Sequence, residues 1–156
     1  MGGVARVPVA IALGSNLGDR DEQLDAAEDR LAVLLSGAVA SARYETEPVG
    51  GPAGAPPFLN EVVVGTTLLG PRSLLDALQA IEDAAGRERP FLNAPRTLDL
   101  DLILYGDFVI DEPGLRVPHP RFRDRLFVLE PLAEVAGDWI DPVSGLSVEQ
   151  LRSRAV

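Results

Sequence analysis

Residues 98–104, LDLDLIL, set a leucine at every second position and an aspartate at two of the positions between. Side chains alternate across a β-strand, so this pattern predicts a strand with Leu98, Leu100, Leu102 and Leu104 on one face and Asp99 and Asp101 on the other. The leucine face belongs in a core. The two carboxylates then stand about 7 Å apart at their Cα atoms, given a rise near 3.3 Å per residue. Like charges held that close oppose each other's ionisation unless a cation lies beside them. Oxygen-only ligands favour magnesium, which keeps several waters and shares phosphate oxygens. A pair at this spacing can serve two such ions roughly 3.5 to 4 Å apart, the arrangement used in phosphoryl transfer. The same D-x-D also fits the solvated side of an amphipathic strand, and spacing alone leaves both readings open.

The flanking patterns constrain the fold further. Residues 7–13, VPVAIAL, alternate large Val7, Val9, Ile11 and Leu13 with small Pro8, Ala10 and Ala12, a strand with one crowded face. Asp19 and Glu22 have the spacing of a helix N-terminal cap. Leu24, Ala27, Leu31 and Leu34 then form one helical stripe that runs to about Leu35 and stops at Gly37. Strands are expected at 38–45 (AVASARYE) and 61–69 (EVVVGTTLL). A second helix is expected from Pro71, with Leu74, Leu75, Leu78 and Ile81 inward and Gly86 as its stop. The stretch 95–106 supplies the fourth strand. Strand, helix, strand, strand, helix, strand is the βαββαβ order of the ferredoxin-like α+β fold, an antiparallel sheet with helices on its faces. Beyond it, YGDFVI (105–110) suggests a hairpin turn, and 122–132 and the tail from Ser147 read as helical, with Ser147 and Gln150 as a capping box. At 156 residues with no internal repeat, the chain reads as one domain over residues 1–156.

Charge separates the functional classes. The net charge is −10, which argues against nucleic acid or an anionic membrane as a partner. All 14 basic residues are arginine, so a phosphate-loop lysine and a Schiff base are excluded. Seven arginines fall in two clusters, Arg87, Arg89 and Arg96, then Arg116, Arg121, Arg123 and Arg125. Planar guanidinium groups suit bidentate phosphate binding, although either cluster alone also fits a solvated face. The absence of cysteine, of a signal-peptide core and of a membrane-length apolar run makes a cytoplasmic location the expectation. Two long Pro/Gly-rich connections, 46–58 and 86–97, have the length of binding loops or of tolerated insertions.

Four stretches, ALGSNLGDR, PVGG…PPFLNEVV, PRTLDLDLILYG and VPHPRFRDRLFVLEPLAE, resemble the 6-hydroxymethyl-7,8-dihydropterin pyrophosphokinases, in the same order and over nearly the whole chain. The resemblance implies transfer of pyrophosphate from ATP to the hydroxymethyl group of the pterin, with release of AMP, in folate biosynthesis. It implies that Asp99 and Asp101 bind two magnesium ions and that Arg87 and Arg96 act with them in catalysis. It assigns ATP contacts to Gln79, Glu82, Arg87, Arg89, Arg96, Leu102, His119 and Arg125. It assigns pterin contacts to Gly14, Phe58, Asn60 and Phe127, with backbone from Thr46, Pro48 and Val49. Relatives commonly carry an aromatic or histidine followed by glycine where this chain has Asn93 and Ala94, which implies altered nucleotide affinity or loop kinetics. A monomer is expected.

Singly, several of these residues have plainer readings. Phe58 and Phe127 suit a core, Gly14 a tight strand-to-helix turn, and Gln79 and Glu82 an exposed helix face. The rival from another class is a ferredoxin-like module that binds a small molecule and catalyses nothing. That rival gives no role to paired aspartates beside Arg96.

Overall fold

The structure, a computed structural model, describes residues 5–16, 18–47, 57–86 and 98–155. The residues expected to contribute at Pro48, Val49, Arg87, Arg89, Asn93, Ala94 and Arg96 lie outside the described residues. The chain runs β1 (Val7–Ser15), α1 (Arg20–Leu34), β2 (Ser36–Ala40), β3 (Tyr44–Thr46), β4 (Phe58–Thr67), α2 (Pro71–Gly86) and β5 (Asp99–Tyr105). There follow β6 (Ile110–Glu112), β7 (Leu115–Val117), a 3-10 turn at Phe122–Asp124, α3 (Leu126–Ala136) and α4 (Val148–Ala155).

The main sheet is antiparallel, in the order β2–β4–β1–β5, with β3 alongside β4 further along. This is the expected ferredoxin-like arrangement, with one expected strand divided into β2 and β3. At the break, Ser41 takes over the pairing: its N–H donates to the Val62 carbonyl at 2.9 Å, and its hydroxyl accepts from the Val62 N–H at 3.0 Å. The strand expected at 61–69 begins earlier, at Phe58.

Each face of the sheet has its own core. Leu24 and Leu31 of α1 and Leu74 and Leu78 of α2 pack with Val9, Ile11, Leu13 and Val63. On the opposite face Leu129 and Leu132 of α3 and Leu151 of α4 pack with Ala10, Val62, Val64 and Phe122. The large-small alternation of β1 thus faces bulk toward α1 and α2, and leaves Ala10, Ala12 and Gly14 as a shallow floor on the α3 side. Asp19 caps α1, its carboxylate accepting from the Glu22 N–H at 3.0 Å. Ser147 and Gln150 cap α4 reciprocally, at 2.8 and 3.1 Å.

Two expectations need correction. Leu98, Leu100 and Leu102 share the α1–α2 core, but Leu104 does not; it joins Ile103 in the core beneath α3. The register with β1 slips between Ala10–Leu104 and Ile11–Leu102, so Ile103 is an extra residue. Such a β-bulge turns two successive side chains to one face. The hairpin also lies one step later than expected. Tyr105–Phe108 does turn, with the Phe108 N–H on the Tyr105 carbonyl at 3.1 Å, yet the paired strands are β6 and β7, joined through Pro113 and Gly114.

Candidate active site

The sheet register assembles the site. On the α3 face, Gly14 of β1 sits between Asn60 of β4 and Asp99 of β5, and in the next row Ala12 sits between Val62 and Asp101. One amide, Asn60, and two carboxylates, Asp99 and Asp101, therefore border a floor that has almost no side chain. Over this floor the start of α3 and the turn before it enclose a cavity of about 610 Å³. Gly14, Thr46, Phe58, Asn60, Asp99, Asp101, Arg121, Arg125 and Phe127 are among its lining residues. Phe58 and Phe127 are half-buried and both border the space, so a flat ring can find aromatic surface there. Asp99 and Asp101 are exposed, as metal or phosphate chemistry requires.

A second cavity of about 570 Å³ runs along the outer edge of β5, between it and the β6–β7 hairpin. Leu100, Asp101, Leu102, Arg116 and His119 line it. Asp101 borders both spaces. Polar groups on the edge of β5 are capped by side chain and loop: the Leu100 N–H donates to Glu82 Oε2 at 2.7 Å, and the Ile103 carbonyl accepts from the His119 N–H at 2.9 Å. Gln79 donates to Glu82 Oε1 at 3.3 Å and to Asp83 at 3.4 Å. Gln79 and Glu82 stand on α2 and line neither cavity, in contrast to Leu102 and His119.

Burial pushes the His119 imidazole below its ordinary range; Asp101 opposes this, and Arg125 and Arg121 add to it. Its Nδ1 accepts from the Arg121 N–H at 3.2 Å, so the neutral ring carries its proton on Nε2 as a donor. The four arginines of the second cluster divide by partner. Arg123 is taken up by Asp141, through Nε at 2.5 Å and Nη2 at 2.8 Å. Asp141 is fully buried, and its pairing holds the carboxylate down to about 2 against the cost of burial. Arg116 pairs with exposed Asp111 at 3.1 Å. Arg121 and Arg125 have no ion pair among the described residues and line the larger cavity, Arg125 lying 5.5 Å over the Phe127 ring. The cluster was visible in the sequence and Arg125 was expected at the ligand; that Arg121 joins it at the cavity while Arg123 is taken up was not legible, because Asp141 lies far along the chain.

Glu61 went unnoticed in the sequence reading, although an acid among FLNEVVV is the signal for it. It is 1% exposed and faces α1, between Leu59 and Val63. Arg43 Nε lies 3.6 Å from Glu61 Oε2, while the two Nη atoms of Arg43 bind Asp21, Asp25 and Glu28 at 2.7 to 2.8 Å. Neither Glu61 oxygen has a hydrogen-bond partner among the described residues. Burial, then neighbouring Glu28, push its carboxyl up to about 8 against the pull of Arg43.

Residues 10–137 match the family described as 7,8-dihydro-6-hydroxymethylpterin-pyrophosphokinase (HPPK). The chain belongs to the HPPK family. The 2-amino-4-hydroxy-6-hydroxymethyldihydropteridine pyrophosphokinase of Pseudomonas aeruginosa is 49% identical over 133 residues, 83% of this chain and 81% of that one. The pyrophosphokinase of the same name from Synechocystis is 42% identical over 143 residues, 90% of this chain and 72% of that one. A solved Plasmodium falciparum HPPK-DHPS shares the HPPK fold at a TM-score of 0.80 and 14% identity; the match covers all of this chain and 44% of that one. This chain thus spans less than half the length of that one. Family membership makes the chain an enzyme of the pyrophosphokinase type, which sets aside the module that binds without catalysis.

Proposed function

We propose that this enzyme transfers the pyrophosphoryl group of ATP to the hydroxymethyl oxygen of 6-hydroxymethyl-7,8-dihydropterin and releases AMP. The observation that carries the reading is Asp101, which borders both the aromatic-lined cavity beside Asn60 and the cavity along the edge of β5. A pterin in the first and a nucleotide in the second would meet at the two carboxylates. The donor set fits magnesium. Asp99 and Asp101 are exposed oxygen ligands on one face, and no cluster of three or more candidate ligands occurs among the described residues. Water and phosphate oxygens would complete the shell, as this ion prefers. Asp99 and Asp101 would hold two ions, whose chemistry is to neutralise phosphate charge and favour ionisation of the attacking hydroxyl.

The remaining work falls to the chain. Asn60 and Thr46 fix a polar ring edge while Phe58 and Phe127 provide apolar surface, orienting the hydroxymethyl group toward the carboxylates. Arg121 and Arg125 supply positive charge, and His119 Nε2–H donates to phosphate oxygen. No covalent protein intermediate is needed. Arg87, Arg89 and Arg96 belong to this reading as phosphate contacts, with Gln79 and Glu82 on the nucleotide side and backbone of Pro48 and Val49 at the ring. We take the enzyme as a monomeric single domain working in the cytoplasm, with no nucleic acid or membrane partner. No helix among the described residues is long and apolar enough to cross a membrane.

The test is AMP formation from ATP and magnesium with and without the pterin. AMP that appears only with the pterin supports the reaction. AMP formed at the same rate without it overturns the acceptor, and pterin binding without AMP overturns the chemistry.

A further inference from the structure

The geometry points to Arg72 as a positioning residue for the nucleotide, one that holds a wall of the second cavity from behind. The inference deepens the reading of that cavity as the ATP site and rests on it. The wall is the β6–β7 hairpin, which forms a two-stranded sheet apart from the main one. Its base is fixed in the core, with Leu115 and Val117 buried and Ile110 packed against the same cluster. Its tip is not: Asp111, Glu112, Pro113 and Gly114 are all exposed. These four tip residues nonetheless line the cavity, together with Leu100 and Leu102 of β5 and Leu75 of α2.

Arg72, in the first turn of α2, reaches this tip. Its Nη2 donates to Glu112 Oε1 at 3.0 Å, and Nη1 and Nη2 both donate to the Pro113 carbonyl at 3.3 Å. A Cβ on Gly114 would stand 3.7 Å from Nη1, so the guanidinium is seated against the bend itself. Hydrogen bonds from one planar fork to two consecutive residues fix the tip in direction as well as distance. Arg72 does not line the cavity, whereas Leu75, about one turn further along the same helix, does. Helix α2 thus supplies part of the lining and also the tie that holds the hairpin in place. The ion pair is half-exposed on both sides, so its loss costs the fold little. The cost falls on the nucleotide instead. A tip released from α2 spends part of its time away from the position that bounds the cavity, and apparent affinity falls with the fraction of molecules in the competent arrangement. Asp99 and Asp101 stand on β5 in the main sheet, so release of the tip leaves the chemical step as it was.

The experiment compares the wild-type chain, Arg72→Met, and Arg72→Met combined with Glu112→Gln. Calorimetry gives the affinity for ATP with magnesium and, separately, for the pterin; AMP release gives kcat at saturating ATP, and urea unfolding gives stability. Arg72→Met should weaken ATP binding roughly three- to tenfold while kcat, pterin affinity and the urea midpoint stay at wild-type values. The double variant should stay as weak as Arg72→Met, because removing the charge of Glu112 does not restore the tie. A double variant that returns to wild-type ATP affinity overturns the inference, since the unpaired charge of Glu112 would then be the whole effect. Unchanged ATP affinity in Arg72→Met overturns it as well, and so does a loss shared by ATP, pterin and the urea midpoint, which would mark a general weakening of the fold. A wild type that binds no ATP overturns the nucleotide reading itself, and the inference with it.

Discussion

Replacing Glu61 with glutamine should make the protein more stable above neutral pH while leaving its stability near pH 4.5 almost unchanged. The carboxyl is 1% exposed, neither oxygen accepts a hydrogen bond among the described residues, and Arg43 approaches only to 3.6 Å because three other acids already occupy its Nη atoms. Burial and Glu28 therefore hold it protonated, with its titration raised from 4.5 to about 8. A raised carboxyl favours the native state fully below the unfolded value, and the advantage is lost as pH rises through the folded one. Each pH unit in that window removes about 1.4 kcal/mol of stability. At pH 7 the accumulated loss is about 3 kcal/mol, and it levels off above pH 8. Glutamine keeps the shape and carries no proton to lose. The assay is urea unfolding of both proteins between pH 4.5 and 8.5, read as the difference in extrapolated stability. That difference isolates position 61 from every other titrating group. A difference that stays flat across the range would mean that Glu61 is ionised in the native state and that Arg43 carries its charge at 3.6 Å, which would refute the reasoning.

Asp99→Asn and Asp101→Asn should each lower turnover at least a hundredfold while changing pterin affinity less than threefold, because the carboxylates act on phosphate charge in the transition state; single-turnover kinetics beside calorimetry separates the two effects. Gly14→Ala should weaken pterin binding with less than about 1 kcal/mol lost in stability, since its Cβ would meet Asn60 Oδ1 at 3.3 Å and the Phe58 ring at 3.7 Å; calorimetry and urea unfolding check both halves. Asp141→Ala should cost about 3 kcal/mol in unfolding free energy, because it leaves Arg123 without its carboxylate and removes the acceptor of the Val143 and Ser144 N–H groups. For Asp141 the sign is the reverse of Glu61. Its carboxyl is held down to about 2, so the stability it supplies is present above its ordinary value of 3.8 and is lost as pH falls through 2.

Period and size made most of the fold legible. The large-small alternation of VPVAIAL identified β1 and its crowded face, and the leucine stripes of α1 and α2 face the core where their spacing requires. The break at Ser41 was not legible. AVASARYE has the composition of one strand, and it divides because the hydroxyl and N–H of Ser41 satisfy Val62 on their own. Glu61 was missed for a related reason: an acid inside an apolar run shows neither its face nor its partner until the register pairs it with Leu13. The arginine cluster shows the same limit. Which of Arg116, Arg121, Arg123 and Arg125 has charge to spare depends on where Asp111 and Asp141 fold against them.

The D-x-D pair was legible as chemistry, but its surroundings come from the bulge at Ile103. Strict alternation through Leu104 would carry that residue to the α1–α2 face and leave the core under α3 one large side chain short. The extra residue turns Ile103 and Leu104 together toward Phe122 and Leu129, while Leu100 and Leu102 stay on the opposite side. It leaves the acidic end of β5 in register with Ala12 and Gly14, where the floor is lowest. The Ile103 carbonyl, freed on the sheet edge, accepts the His119 N–H and so ties the loop that bears His119 and Arg121 to the strand that bears Asp101. A single inserted residue therefore divides β5 into one half that builds core on both faces and another that displays two carboxylates over an open floor.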